Sequence, residues 1–147
     1  MPNVNPGILF EIFNEIGIIE QLSRARLEAR LPEGLIAPHF TVLNRLVRVQ
    51  DGATPLEMAR AFQVPKTSLT HTLQGLEKHD LVEMRPNPVD GRSKTVWITD
   101  KGRALREATI QSLAPEFIQL MQTFDLEALL AVKPTLTALR KLLDENR

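Results

Sequence analysis

The chain has 147 residues, of which 43% are hydrophobic and 24% charged, a balance that suits one domain with a sizeable core and excludes a disordered chain. It contains no cysteine, which excludes disulfides, thiolate metal sites and cysteine nucleophiles. Eighteen basic residues balance eighteen acidic ones. The balance is uneven: residues 60–106 carry nine basic and five acidic side chains, while the segments on either side are net acidic, so the middle of the chain suits a polyanionic partner.

No uncharged apolar run approaches the roughly 18 residues a membrane helix needs, and the start, Met1 to Pro6, lacks the basic segment of a signal peptide. A soluble, cytoplasmic protein without a membrane partner is the expectation. The first helix is expected from about Ile8 to Leu31. Its apolar residues Ile8, Leu9, Phe10, Ile12, Phe13, Ile16, Ile18, Ile19 and Leu22 wrap more than one face, which predicts burial on several sides. A second subunit would supply that burial; a central core helix of a monomer is the alternative. Pro32 and Gly34 end the segment. The second helix, about Pro38 to Gln50, carries Phe40, Val42, Leu43, Leu46 and Val47 at helical spacing, and Asp51-Gly52 closes it.

Thr54-Pro55-Leu56-Glu57 has the pattern of a capping box with proline at the first helical position. It opens a short third helix with Leu56, Ala59 and Phe62 as the expected buried stripe. A fourth helix, about Lys66 to His79, buries Leu69, Leu73 and Leu76 and shows Thr67, His71, Gln74 and Lys78 outward, flanked by Thr70 and Gly75. Two short helices joined tightly, the second with a polar and basic outer face, read as a helix-turn-helix. Residues 81–85 and 93–98 are rich in β-formers around turn chemistry that includes Asp90-Gly91, which predicts a β-hairpin with a long tip. Thr99-Asp100 caps a fifth helix that Pro115 should kink or end. Asp125 starts a sixth and last helix with Leu126, Leu129, Leu130, Leu136, Leu139, Leu142 and Leu143 inward and a kink at Pro134.

The expected fold class is therefore mainly α with a small β-hairpin wing. The order of elements resembles the MarR family of bacterial transcriptional regulators. The segment Leu81-Val82-Glu83-Met84-Arg85-Pro86-Asn87-Pro88-Val89-Asp90-Gly91-Arg92-Ser93-Lys94, followed by Trp97-Ile98-Thr99-Asp100-Lys101-Gly102, is similar to that family's wing. It has an Asp-x-Arg tip, an aliphatic-Thr strand end and an acidic-Lys-Gly helix start. The resemblance implies a winged helix-turn-helix with N- and C-terminal dimerisation helices. It makes residues 1–147 one domain, with about 36–106 as the DNA-binding part and about 8–31 and 107–147 as the dimerisation helices. Two winged helices of a homodimer would sit on a pseudo-palindromic operator in double-stranded DNA. Family members often carry Arg where this chain has His71 and Gly75, so base preference departs from the family pattern.

In that frame a helix reads base edges in the major groove. Gln74 would pair with adenine, Thr67 and Thr70 would touch thymine methyls or phosphates, and His71 would donate to guanine or phosphate. Ser68 is either a first-turn cap or a contact. Lys66 and Lys78 suit the DNA backbone, as do Arg85 and Lys94 beside the wing. Arg92 at the tip would enter the minor groove, with Asp90 as its support. Trp97 reads as a packing residue under the wing. His39, His71 and His79 lack metal-ligand spacing, so neither a metal nor a cofactor is expected; the four methionines read as core fillers. The resemblance also implies a ligand-responsive repressor with a small aromatic or anionic effector, for which Phe13, Ile16, His39, Phe40 and Leu43 are the candidate pocket. A winged-helix module that contacts proteins and not DNA is the alternative function. An enzyme is not expected: there is no nucleophile–base pair, phosphate loop or metal cluster in the sequence.

Overall fold

The structure is a computed structural model that describes residues 5–147; Met1 to Val4 lie outside it. The described residues form seven helices and one hairpin: α1 (Pro6–Glu28), α2 (Ala37–Arg48), α3 (Pro55–Phe62), α4 (Lys66–Lys78), β1 (Val82–Pro86), β2 (Lys94–Ile98), α5 (Asp100–Ser112), α6 (Ala114–Thr123) and α7 (Leu126–Glu145). They divide after Ser112 into two compact units.

In the first unit, α2, α3, α4 and the hairpin enclose one core. Val42, Leu43 and Leu46 of α2, Met58 and Ala59 of α3, Leu69, Leu73 and Leu76 of α4, and Leu81, Val82, Val96 and Ile98 around the hairpin are all buried. The three leucines of α4 are the expected ones. On α3, Ala59 is buried and Phe62 packs against the core as expected, but Leu56 does not. Met58 is fully buried and Leu56 is exposed, because Met58, Ala59 and Phe62 share an arc of about 100° on a helical wheel that Leu56 lies outside. The capping box is present: Thr54 Oγ1 accepts the Glu57 amide and a Glu57 carboxylate oxygen accepts the Thr54 amide, both at 3.2 Å. Gln63, in the left-handed region at φ 55°, ends α3 and turns the chain toward α4.

The hairpin pairs Val82 with Ile98, Glu83 with Trp97 and Arg85 with Thr95. Ala53 bridges Val96 from outside, so the loop after α2 is laced to the wing. Asp51 adds to this: its Oδ1 accepts the Ile98 amide at 2.9 Å, and its Oδ2 meets Arg103 of α5 at 3.2 Å. Thr99 receives the Gly102 amide at 3.0 Å and starts α5.

No residue of α1 is buried, which overturns the reading of α1 as a central core helix of a monomer. Phe10 is 72% exposed, and Ile19 and Leu22 are each 62% exposed. Of the methionines expected as core fillers, Met1 lies outside the described residues, Met58 is buried, Met84 is packed against the core, and Met121 is exposed.

The second unit is α6 and α7. Pro115 separates helices as expected: α5 stops at Ser112 and Pro115 occupies the first turn of α6. Six expected helical segments thus become seven. Asp125 caps α7 by accepting the Ala128 amide at 3.2 Å. Helix α7 is assigned without a break through Pro134. Its leucines are not inward: Leu129, Leu130, Leu136, Leu142 and Leu143 are exposed, and Leu126 and Leu139 are half-buried. The apolar stripe exists, but none of the residues of α7 is buried. Among the described residues no helix is long and apolar enough to cross a membrane.

Candidate nucleic-acid interface

Helix α4 holds its inner leucines in the core, so its other side is fixed in orientation. Lys66, Thr67, Thr70, His71, Gln74 and Lys78 are all exposed there. The Thr70 hydroxyl donates to the Lys66 carbonyl at 2.9 Å. Thr70 and Gln74 share a small cleft of about 120 Å³ with Pro55, Glu77 and Met84, which brings the polar face of α4 against the base of the wing. No side chain caps α4, so Ser68 does not serve as its cap.

Gly75 belongs to a different surface. A Cβ at Gly75 would stand 2.7 Å from His39 Nε2, so this glycine is where α4 admits the His39 ring of α2. His39 is 8% exposed, and its Nδ1 accepts the Ile36 amide at 2.9 Å. Burial holds its pKa below the ordinary value of 6.5, and the neighbouring His79 and His71 push the same way. The missing side chain at Gly75 thus follows from helix packing.

The wing tip is tied by short polar contacts. Asn87 Nδ2 donates to Ser93 Oγ at 2.9 Å, and Asn87 Oδ1 accepts the Val89 amide at 3.0 Å. Asp90 Oδ1 accepts the Arg92 amide at 3.0 Å and lies 3.6 Å from Arg92 Nε. Arg92 itself is 96% exposed at the tip. Lys94 is exposed where β2 begins. Arg85, on β1, stands over the Trp97 ring with its guanidinium carbon 4.6 Å from the centroid. Trp97 packs over Gly52 and donates through Nε1 to Thr95 Oγ1 at 2.9 Å.

The candidate effector residues occupy different environments. Leu43 is in the core, His39 is engaged by Ile36, Ile16 and Phe40 are half-buried, and Phe13 is exposed. A groove of about 310 Å³ does open between α1, α2 and the helix-turn-helix. Its lining includes Glu20, Arg24, Thr41, Phe62, Ser68 and Thr72, and none of the five candidates is among its residues. Arg24 and Glu20 pair at 3.8 Å on the α1 side. Among the described residues no cluster of three or more His, Asp or Glu side chains converges as a metal site would.

Asp51, Asn87, Ser93 and Arg103 escaped the sequence reading. The Asn87-to-Ser93 spacing around a turn is a signal that side-chain chemistry can supply. The Asp51–Arg103 pair spans 52 positions and has no local signature.

Comparison with known proteins places this architecture. Residues 33–93 match the family model described as "MarR family". A MarR transcriptional regulator from Methanosarcina mazei shares 20% identity at a TM-score of 0.80, over 92% of this chain and 98% of its own. Wild-type MarR from Escherichia coli in its apo form shares 25% identity at 0.73, over 92% and 97%. A variant of Escherichia coli MarR complexed with operator DNA shares 24% identity at 0.71, over 93% and 99%. Residues 33–93 are thus similar to the MarR family, and the chain shares the fold of these MarR regulators.

Proposed function

We propose that this chain is a homodimeric, sequence-specific DNA-binding transcriptional regulator that acts as a ligand-responsive repressor on a pseudo-palindromic operator. The observation that carries the reading is one exposed polar surface. It unites the outer face of α4 (Thr67, Thr70, His71, Gln74), held by three buried leucines, with a cationic wing ending in Arg92. Lys66, Lys78, Arg85 and Lys94 supply phosphate contacts at its margins, and Asp90 supports Arg92. The operator-bound relative carries the same fold, which supports insertion of α4 into the major groove with the wing alongside.

The dimer is supported by exposed apolar side chains too numerous for an unpartnered surface, including Phe10, Ile19 and Leu22 on α1 and Leu130 and Leu142 on α7. Residues 1–147 then act as one domain, with about 8–31 and 107–147 as the dimerisation helices. Effector response is supported by the groove beside Arg24, which is of small-ligand size and touches α1 and α4 together. A ligand wedged there would bias the spacing of the two recognition helices.

The test is a footprint of the protein on its own upstream region and on random genomic fragments. Two protected patches, one helical turn or a multiple of it apart, support the proposal. Absence of protection at low salt from a folded dimer refutes it and turns the search toward a protein partner.

A further inference from the structure

Trp97 is the only tryptophan in the chain, and it lies on the outer face of the wing rather than in the core. Its indole occupies the space a side chain at position 52 would need: a Cβ on Gly52 would come within 2.5 Å of Trp97 Cζ2. Gly52 also adopts φ 76°, a conformation suited to glycine. The indole N–H is engaged by Thr95 Oγ1 at 2.9 Å, and the Thr95 hydroxyl donates to the Arg85 carbonyl at 3.3 Å. The ring is therefore fixed from below by glycine and from its edge by threonine. Over it stands the Arg85 guanidinium, 4.6 Å from the centroid, with Glu83 Oε2 at 3.4 Å from Arg85 Nη2.

We infer that Trp97 is a positioning residue for nucleic-acid binding: it holds Arg85 ready on the wing surface, and Glu83 occupies the place that a DNA phosphate oxygen takes on binding. The inference rests on the proposed DNA-binding function and adds a residue to it. A long arginine free in solvent loses rotamer freedom when it meets a phosphate. An arginine already stacked on an aromatic face has lost part of that freedom beforehand, and the stack adds attraction. Glu83 is a weak, solvent-exposed partner, readily exchanged for phosphate. The contact is to the DNA backbone, so it operates on any sequence.

The experiment is a double-mutant cycle on a mixed-sequence DNA duplex, read by anisotropy, with wild type, Trp97→Leu, Arg85→Ala and the double variant. Trp97→Leu is expected to weaken binding by roughly three- to tenfold and to cost nothing further when Arg85 is already alanine. Trp97→Phe, which keeps an aromatic face, is expected to stay within about twofold of wild type. Trp97 emission should shift both on Arg85→Ala and on adding DNA to wild type. Equal losses from Trp97→Leu with and without Arg85 would overturn the inference and leave Trp97 a packing residue. An intact wild type that binds no duplex at low salt overturns both the inference and the function beneath it. If Trp97→Leu fails to fold, Trp97→Phe and the emission shift decide.

Discussion

Gly75→Ala isolates one packing contact between α4 and α2. In an ordinary helix the change stabilises by about 1 kcal/mol, because alanine is the better helix former. Here the new methyl group would stand 2.7 Å from His39 Nε2. The ring has little room to move: it is 8% exposed, and its Nδ1 holds the Ile36 amide at the start of α2. Forcing it aside costs about 1–3 kcal/mol as overpacking, and losing the Ile36 hydrogen bond has a cost in the same range. These are alternative relaxations and not a sum, so after the gain in propensity the net expectation is about 0–2 kcal/mol of destabilisation. Urea unfolding read as a change in midpoint at constant slope measures it. The sign should reverse in a His39→Ala background, where Gly75→Ala is expected to stabilise by about 1 kcal/mol. Stabilisation by Gly75→Ala in the wild-type protein would refute the contact.

Other expectations follow from the same geometry. Arg92→Ala should weaken operator binding by about 1–3 kcal/mol in a titration, with an unchanged melting temperature because the side chain is 96% exposed. His39 is buried with a lowered pKa, so the unfolded chain takes up the proton first as pH falls; stability should be full above pH 6.5 and decline below it toward the lower folded value. Urea midpoints across that range should show the slope, and His39→Gln should remove its share. Phe10→Asp together with Leu22→Asp on α1 should shift the protein from dimer to monomer in light scattering; retention of the dimer would place the interface elsewhere. Thr54→Ala should lower stability by about 1 kcal/mol through loss of the α3 cap, measurable by denaturant unfolding.

Much of the helix-turn-helix was legible because its signals are local. Thr54, Pro55 and Glu57 announce the start of α3, and the spacing of Leu69, Leu73 and Leu76 defines the inner face of α4. The wing was legible because turn residues separate two β-rich stretches. On α3, Ala59 and Phe62 were rightly placed toward the core, whereas Leu56 stood in for Met58, whose wheel position decides which side chain reaches the core. Gly75 was read as an omission on the outer face, since only the three-dimensional position of His39 shows what it accommodates. Asp51 and Arg103 meet across 52 positions, and no periodicity reports such a pair. The leucine stripe of α7 was correctly apolar and wrongly inward. Periodicity reveals that a helix has a face to bury, and it does not say which body covers that face.

The central claim is that the surface formed by α4 and the wing engages DNA, and its most direct test is the salt dependence of binding to a duplex from the protein's own upstream region. The account predicts affinity that falls steeply and linearly on logarithmic axes as salt rises, with a slope reduced by about 1 when a phosphate-contacting lysine such as Lys78 or Lys94 is replaced by alanine. Binding that ignores salt, or no binding by an intact dimer, would contradict it.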